Sequence, residues 1–480
     1  MSDPTRTDLR RRELLATLTA AGGAGALAGC SLFESAPAPT DTPDAGTDTP
    51  AETTPSDAAD TAEIPYADEY GTVVDLARAG ADTTGRESVV PLLDEHAGDD
   101  TLLYLPEGTY LVDEPWQLDG FADVAVVGPD AVVVPPSRYA GTLFAVTDGS
   151  GFRFEGVTFD FTAEGTGARP IGALVDDGLV VRDVTVRGSQ DVDQDMMRFD
   201  VTGEEGTGLV ERLRLRDGAS FDIPVTGCLV TGDSVGELTF RDCEIVGFPD
   251  NGLYASAATG RVRVEGGYYA NNAISNVRVG DGAVVSGVHV RVDYEEDVLE
   301  NTRGIRLREG SGVLVENATI EMLNVPVSDG ALTVSTGARE VTVRDTEIRV
   351  DADDVTGLLA KSPADRFEGE STAVTVENVV VTGGAAGNDA IDIVDRDGCR
   401  LTGLCIHQTG DARDGVRLLR SRDNRIEDAT IVVTGEALVL EDSTASTTGI
   451  RTAAESGDSA GLSAQDGTVP QGPCATDEDP

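Results

Sequence analysis

From Phe152 onward one pattern of apolar and polar positions recurs along the chain: apolar, any, apolar, two turn residues, apolar, any, apolar. Clear copies are Leu179, Val181, Val184 and Val186; Leu238, Phe240, Cys243 and Ile245; and Val313, Val315, Ala318 and Ile320. Further copies begin at Val341, Val374 and Cys399, and looser ones at Phe152, Gly208, Val262, Ala283 and Asn424, giving eleven spaced by 21 to 33 residues. Alternation with period two predicts strands, and two residues between strands predict a sharp bend. The second bend residue is Gly156, Asp183, Arg212, Asp242, Gly266, Gly287, Asn317, Asp345, Asn378, Gly403 or Asp428. All but Arg212 are residues that tolerate a left-handed backbone. A third strand follows in several repeats, as at Asn251-Gly252-Leu253, Asp389-Ala390-Ile391 and Asp414-Gly415-Val416. The expectation is an all-β solenoid with three short strands per coil, in which Val181, Val315, Val343, Val376 and Leu401 point inward and stack.

Leucine-rich repeats need a tighter Leu frame and propeller blades need four antiparallel strands, so neither fits. No helical period separates the strands, which excludes a doubly wound sheet. Three strands per coil with variable loops at one corner resembles the pectate-lyase-like right-handed parallel β-helix. The segment before the repeats adds to the resemblance. Glu87 to Ala97 carries Val89, Val90, Leu92 and Leu93 at helical spacing, followed by a strand from Leu102 to Val112 that contains Pro106-Glu107-Gly108-Thr109-Tyr110. A helix and then Pro-x-Gly-x-Tyr is similar to the opening of pectate-lyase-superfamily and polygalacturonase-like proteins, where the helix caps the open end of the solenoid. The family's Gly-Asp-Gly before that helix is replaced here by Gly80-Ala81-Asp82-Thr83-Thr84-Gly85. The resemblance covers residues 66–442.

Composition changes the picture next. The chain has 480 residues, 40% hydrophobic but only 5% aromatic, so Val, Leu and Ile must build the core. Its net charge is −50, from 86 acidic and 36 basic residues, and Lys361 is its sole lysine. Such a charge opposes compaction in dilute buffer, and molar salt reduces the Debye length to about 3 Å. Acid excess spread over the chain with almost no Lys resembles proteins of haloarchaeal type. No segment beyond the first dozen residues is net basic, which argues against nucleic acid as a partner.

The first thirty residues read as an address. Arg10, Arg11 and Arg12 precede a mild Ala/Gly/Leu stretch that ends in Leu27-Ala28-Gly29-Cys30. A charged start, a short apolar run and small residues make a signal sequence. The paired arginines resemble a twin-arginine export signal, and Leu-Ala-Gly-Cys resembles a lipobox, whose Cys30 would carry a lipid and anchor the protein at the outer face of the cell membrane. Residues 31–65 are a disordered tether of Thr, Asp, Pro, Ala and Ser, and residues 443–480 are expected to be a disordered acidic tail.

Members of the resembled superfamily bind or cleave polysaccharides along the first strand of each coil. On that face the outward positions include Arg198, Tyr254, Arg306, Arg308, Asp392 and Arg417. A line of Arg suits the carboxylates or sulfates of an acidic polysaccharide or cell-surface glycan. Arg153, Arg263, Arg400 and Arg425 point outward from the next sheet, so Arg alone does not single out the first. Asp250, Tyr254 and Arg306 are the catalytic candidates, Arg198, Arg308, Asp392 and Arg417 the substrate-binding ones. Asp191, Asp193 and Asp195 stand at alternate positions and can converge on Ca²⁺, the expected cofactor; the alternative is a solvated acidic loop. Elimination needs a base beside a neutralised carboxylate, whereas hydrolysis needs two carboxyls about 5–10 Å apart. The leading expectation is a surface lipoprotein that binds and cleaves an acidic polysaccharide by elimination. The alternative is a non-catalytic β-helix for adhesion or cell-envelope structure.

Overall fold

A computed structural model describes residues 64–294 and 301–454. Every strand pairs in parallel with the strands one coil before and after, in three sheets of 13, 15 and 15 strands. We call them sheets I, II and III in the order the repeat visits them. Sheet I holds the third-strand motifs, such as Asn251–Tyr254 and Asp389–Val394, and sheets II and III hold the paired strands on either side of the bend. This is the parallel β-helix expected from the repeats. Cα partners run Val181, Val210, Phe240, Val264, Val285, Val315, Val343, Val376, Leu401 and Ile426 up a single row of sheet II. The five residues expected to stack lie in that row, each wholly buried.

The bends explain why the chain turns where it does. All eleven second bend residues have positive φ, including Arg212 at 52°. Nothing in the arginine side chain favours that backbone, but its guanidinium donates to both oxygens of Asp183, the bend residue one coil earlier, at 2.6 and 2.7 Å. The bidentate pair compensates a conformation that Gly, Asn or Asp would adopt more readily.

The solenoid is longer at both ends than the repeats indicated. Sheet II begins at Thr72–Asp75 and sheet III at Thr84–Ser88, before the helix rather than after it. Helix α1 (Val90–His96) is shorter than the expected 87–97, because Glu87 and Ser88 belong to the preceding strand. It stands in the first coil where a sheet I strand would be, and buries Val90 and Leu93 next to the first true strand of that sheet, Trp116–Asp119. The stretch 102–112 is two strands, Thr101–Tyr104 and Gly108–Leu111, because Pro106 and Gly108 turn the chain from sheet II into sheet III. At the other end Ala445–Thr448 and Arg451–Ala454 form the last rungs of sheets II and III, so the solenoid continues past residue 442 into the segment read as a tail. The first of those strands is Ser/Thr-rich and largely exposed, which is why its composition resembled a tail. The expected signal, lipidation site and tether (to residue 63), the acidic loop 295–300 and the remainder of the tail lie outside the described residues.

Cys243 and Cys399 are free and buried, as their inward repeat positions imply, and burial pushes their thiols up to about 12 and about 11. Two arginines are also wholly buried. Arg396 donates to the carbonyls of Ala338, Thr372, Ser335 and Lys361, and Arg413 to those of Val355 and Gly387 and to Gln408 Oε1. Each guanidinium fastens several coils together at a corner where backbone carbonyls turn away from the sheets.

Candidate functional site

Sheet I presents an outward row that alternates with the buried core positions. Successive Cα partners are Arg198, Leu229, Tyr254, Arg278, Arg306, Thr333, Leu359, Asp392 and Arg417. Neighbouring members are about 4.8 Å apart along the axis. The sequence therefore placed Arg198, Tyr254, Arg306, Asp392 and Arg417 correctly on one face, and Arg308 lies two residues beyond Arg306 on the same strand.

Their electrostatic situations differ. Arg198 donates to Asp200 at 2.7 Å and to Asp233 at 2.8 Å, and Arg417 lies 3.3 Å from Asp392 and 3.0 Å from Glu441. Arg198 and Arg417, two of the three arginines expected to be ligand contacts, are thus neutralised by the protein's own carboxylates. The middle coils are not. Arg278 lies over the Tyr254 ring, 3.9 Å from its centroid, and donates to Tyr254 Oη at 3.0 Å and Ser256 Oγ at 2.9 Å. Arg306 donates only to Ser335 Oγ, at 3.3 Å. Among the described residues, Arg278, Arg306 and Arg308 make no ion pair. Burial, and then the guanidiniums of Arg303, Arg278 and Arg308, bring Arg306 down to about 9. It stays charged at neutral pH, with its charge poorly compensated. Beside it Asp329 accepts from both Arg303 and Lys361; burial would raise this carboxyl, and the two cations instead hold it at about 2. In a chain of net charge −50, this is a local surplus of positive charge.

Corner loops frame the surplus. Before the coils of Tyr254 and Arg278 the turns from sheet III to sheet I are short, residues 247–250 and 271–274. The long loop 216–227 reaches past them, so that Phe221 packs edge-on against Tyr294, three coils further along, with ring centroids 6.0 Å apart. On the opposite corner, the insertion 361–373 carries a 3₁₀ turn, Asp365–Phe367, and leans back over four coils to Ser256–Thr259. The cleft beneath it, about 440 Å³, is lined by Arg366, Phe367, Arg339, Gly310 and Glu309 among others. Sheet I thus has a cationic floor between two corner structures, one bearing Phe221 beside exposed Ser220 and Asp222 and one carrying Arg and Phe.

Other expected site residues fall elsewhere. Asp250 is buried one residue before the strand Asn251–Tyr254 and accepts from Asn251 Nδ2. The residues Asp191, Asp193 and Asp195 do not fit a calcium ion. Asp191 accepts from the amides of Gly165 and Gly167, Asp195 from the amide of Thr226, and among the described residues no three carboxylate, thiol or imidazole groups converge as a metal site. Alternation on a loop does not aim side chains as it does on a strand, and Asp191 and Asp195 hold backbone amides of the coils before and after.

Two groups escaped the sequence reading. Arg278 is the outward residue of Val277-Arg278-Val279, in register with Leu253-Tyr254, and that register was legible in principle. The other is Asp389, noted only as the start of a third strand. Burial first, and Asp392 second, push it up to about 7, while Asp392 is raised by burial against the pull of Arg417. Two carboxyls on one strand of sheet I therefore differ in surroundings: Arg417 supports the charge on Asp392, and among the described residues no hydrogen-bond donor meets the Asp389 carboxyl.

No protein-family model and no curated protein matches the chain. Several solved structures are similar in backbone path. PfbA, a surface adhesin of Streptococcus pneumoniae, aligns over 79% of this chain and 93% of its own at 11% identity, with a TM-score of 0.43. The A-module of the Azotobacter vinelandii mannuronan C-5 epimerase AlgE6 aligns over 80% of this chain and all of its own at 15% identity, with a TM-score of 0.38. The catalytic unit of an α-1,3-glucanase from Streptomyces thermodiastaticus aligns over 79% of this chain and 68% of its own at 13% identity, also at 0.38. At such identities only the chain path is comparable, and the side chains of the groove are this chain's own.

Proposed function

We propose that sheet I binds an acidic polysaccharide along the solenoid axis and cleaves it by β-elimination. The observation that carries this reading is the run of Arg278, Arg306 and Arg308, cations that make no ion pair among the described residues of a protein with a large acid excess. A uronate carboxylate between Arg306 and Arg308 would supply the missing counter-charge and be neutralised by it, which acidifies the adjacent C–H. Tyr254 Oη is the base in this scheme. It would act as the phenolate, and Arg278, whose guanidinium donates to that oxygen, would face its charge. The C–H proton passes to the base, its bonding electrons form the carbon–carbon double bond, and the glycosidic C–O bond breaks with its electron pair on the leaving oxygen, which takes a proton from water.

Hydrolysis is the second reading, favoured by Asp389 and Asp392. A carboxyl still half-protonated near pH 7 can donate to the glycosidic oxygen, and an ionised neighbour held by Arg417 can activate water. We further propose that the protein is exported by the twin-arginine route and held at the outer face of the membrane by a lipid on Cys30. Replacing Cys30 with Ser should release it to the medium; a variant that stays with the membrane rejects the anchor.

The enzymatic readings separate in one assay of the purified protein in molar salt against a panel of polyuronates. Ultraviolet absorbance of unsaturated ends supports elimination, and new reducing ends without that absorbance support hydrolysis. Binding without either product supports a non-catalytic surface protein. No binding to any polyanion rejects the reading.

A further inference from the structure

One cysteine on the outer face of the solenoid is already engaged. The chain has six: Cys30, Cys228, Cys243, Cys399, Cys405 and Cys474. Cys228, Cys243 and Cys399 are free and wholly buried in the core, whereas Cys405 is disulfide-bonded. It begins the sheet III strand Cys405–Gln408. There Ile406 continues the inward row of Ile348, Val381 and Ile431, so Cys405 belongs to the outward row with Glu347, Val380, Thr430 and Arg451. Those neighbours are half-buried or exposed, yet Cys405 is only 2% exposed. So low an exposure on an outward row fits a sulfur with its partner laid against it. That partner is Cys30 or Cys474, the two cysteines outside the described residues.

Chain length decides between them. The last rung of sheet III is Arg451–Ala454, and its Arg451 lies two rungs from Cys405, a separation of about 10 Å. Cys474 follows Ala454 by twenty residues, which as a flexible chain span about 25 Å on average. Cys30 precedes Ile64 by 34 residues, about 32 Å on average, and Ile64 packs on the first coils beside Leu102. The strand of Cys405 stands twelve rungs beyond the first strand of sheet III, about 58 Å away. We infer that Cys405 is joined to Cys474, so that residues 455–474 form a covalent strap returned along sheet III. The bond encloses the last rungs of all three sheets. Of these, Ala445–Thr448 is largely exposed and Leu438–Glu441 has no fully buried residue. A solenoid end with so little buried surface opens before the middle does, and a cross-link around it limits the opened states. To close the strap, the two thiols lose two protons and two electrons to an external disulfide, which leaves as two thiols. The strap therefore closes in an oxidising compartment and stays open in a reducing one. The three core thiols take no part, because burial keeps them protonated and out of reach. The inference is independent of any ligand of sheet I.

The test incubates the purified full-length chain with glutathione disulfide in molar salt, alkylates the remaining thiols under denaturing conditions, and maps tryptic peptides with and without reduction. Peptide 401–413, which holds Cys405, should appear joined to peptide 452–480, which holds Cys474, and the two should separate on reduction. The chain should run as a monomer on a non-reducing gel. An alkylated Cys405, a link from Cys405 to Cys30, or a disulfide-linked dimer overturns the inference. Cys474→Ser, a change outside the described residues, should leave Cys405 alkylated. Limited proteolysis should then remove the strands from residue 438 onward several-fold faster than in the oxidised wild type, and reduction should bring the wild type to the rate of the variant. Equal rates for the oxidised wild type and the variant would show that the bond straps nothing, and the inference would fail.

Discussion

Up one outward row of sheet II the rungs read Glu155, Arg182, Glu211, Arg241 and Glu265, each the Cα partner of the next. Arg182 reaches Glu211 at 2.6 Å, and Arg241 reaches Glu265 at 2.8 Å and Glu211 at 3.7 Å. On the same sheet Arg344 meets Glu316, Arg263 meets Glu237 and Arg425 meets Glu427. The matching row of sheet I reads Tyr254, Arg278, Arg306 and Thr333, with no carboxylate among them. Both sheets expose arginine, and on sheet II neighbouring carboxylates neutralise most of it, Arg400 between Thr375 and Arg425 being an exception. The contrast teaches that arginine content does not mark a binding face in this protein; consecutive, partly buried arginines without an ion pair among the described residues set the middle of sheet I apart.

Removing the unpaired cations is the largest test of that contrast. A charge-assisted hydrogen bond contributes about 1.5–3 kcal/mol, so Arg306→Ala or Arg308→Ala should weaken polyuronate binding ten- to a hundredfold, and the double variant more. Arg182→Ala and Arg241→Ala should leave binding within a factor of about two, because those guanidiniums already have partners. Arg198→Ala should resemble the sheet II variants although it sits on sheet I, since Asp200 and Asp233 occupy it. Titration against one polymer measures all of these. Equal losses on both sheets would leave a uniformly charged solenoid with no groove.

The carboxyls give a second contrast, visible in stability and not in binding. Asp389 on sheet I is raised to about 7, mainly by burial. A group raised in the folded state contributes stability below its unfolded value, near 4, and that contribution is lost as pH rises through the folded value. The wild type should therefore lose stability between about pH 4 and pH 7 through this residue. Asp389→Asn removes the dependence. Above pH 7 the variant should be the more stable by roughly 2–4 kcal/mol, because a tenfold change in a proton-binding constant corresponds to about 1.4 kcal/mol. Denaturant melts at pH 5 and pH 8 decide it. A difference between variant and wild type that is the same at both pH values would show that Asp389 titrates normally.

Much of the fold could be read from the sequence, because the solenoid writes each constraint repeatedly. Inward Val and Leu recur with period two, and Gly, Asn or Asp recurs where the backbone must turn left-handed. The site was legible only where it inherits that periodicity. Arg306, Tyr254 and Arg198 were placed by alternation. Whether each is free was not, because Arg198 meets Asp233 across a coil from a loop of unpredictable length. Likewise Phe221 reaches Tyr294 only because two intervening turns are short, and the value at Asp389 reflects burial that no local pattern encodes. The calcium expectation rested on spacing in a loop, which carries no direction.

The smallest expected effect concerns salt, and it separates the two sheets once more. Cross-strand pairs on sheet II are partly exposed, so each should contribute less than about 1 kcal/mol in dilute buffer. At 0.1 M salt the Debye length is about 10 Å, and the carboxylates of a chain with net charge −50 repel one another across several coils. At molar salt it falls to about 3 Å, which relieves that long-range repulsion and also weakens the exposed pairs. The wild type should accordingly melt at higher temperature in molar salt. Arg241→Ala adds one more uncompensated negative charge beside Glu211 and Glu265, so its deficit should be largest at 0.1 M and shrink by a few tenths of a kcal/mol as salt rises. Arg306→Ala should behave oppositely, because removing an unpaired, half-buried cation relieves desolvation and like-charge repulsion from Arg278, Arg303 and Arg308. Its melting temperature should equal or exceed that of the wild type at every salt concentration. A salt-dependent deficit in both variants would mean that the guanidinium of Arg306 is compensated after all, and the distinction between the two faces would fail at its central residue.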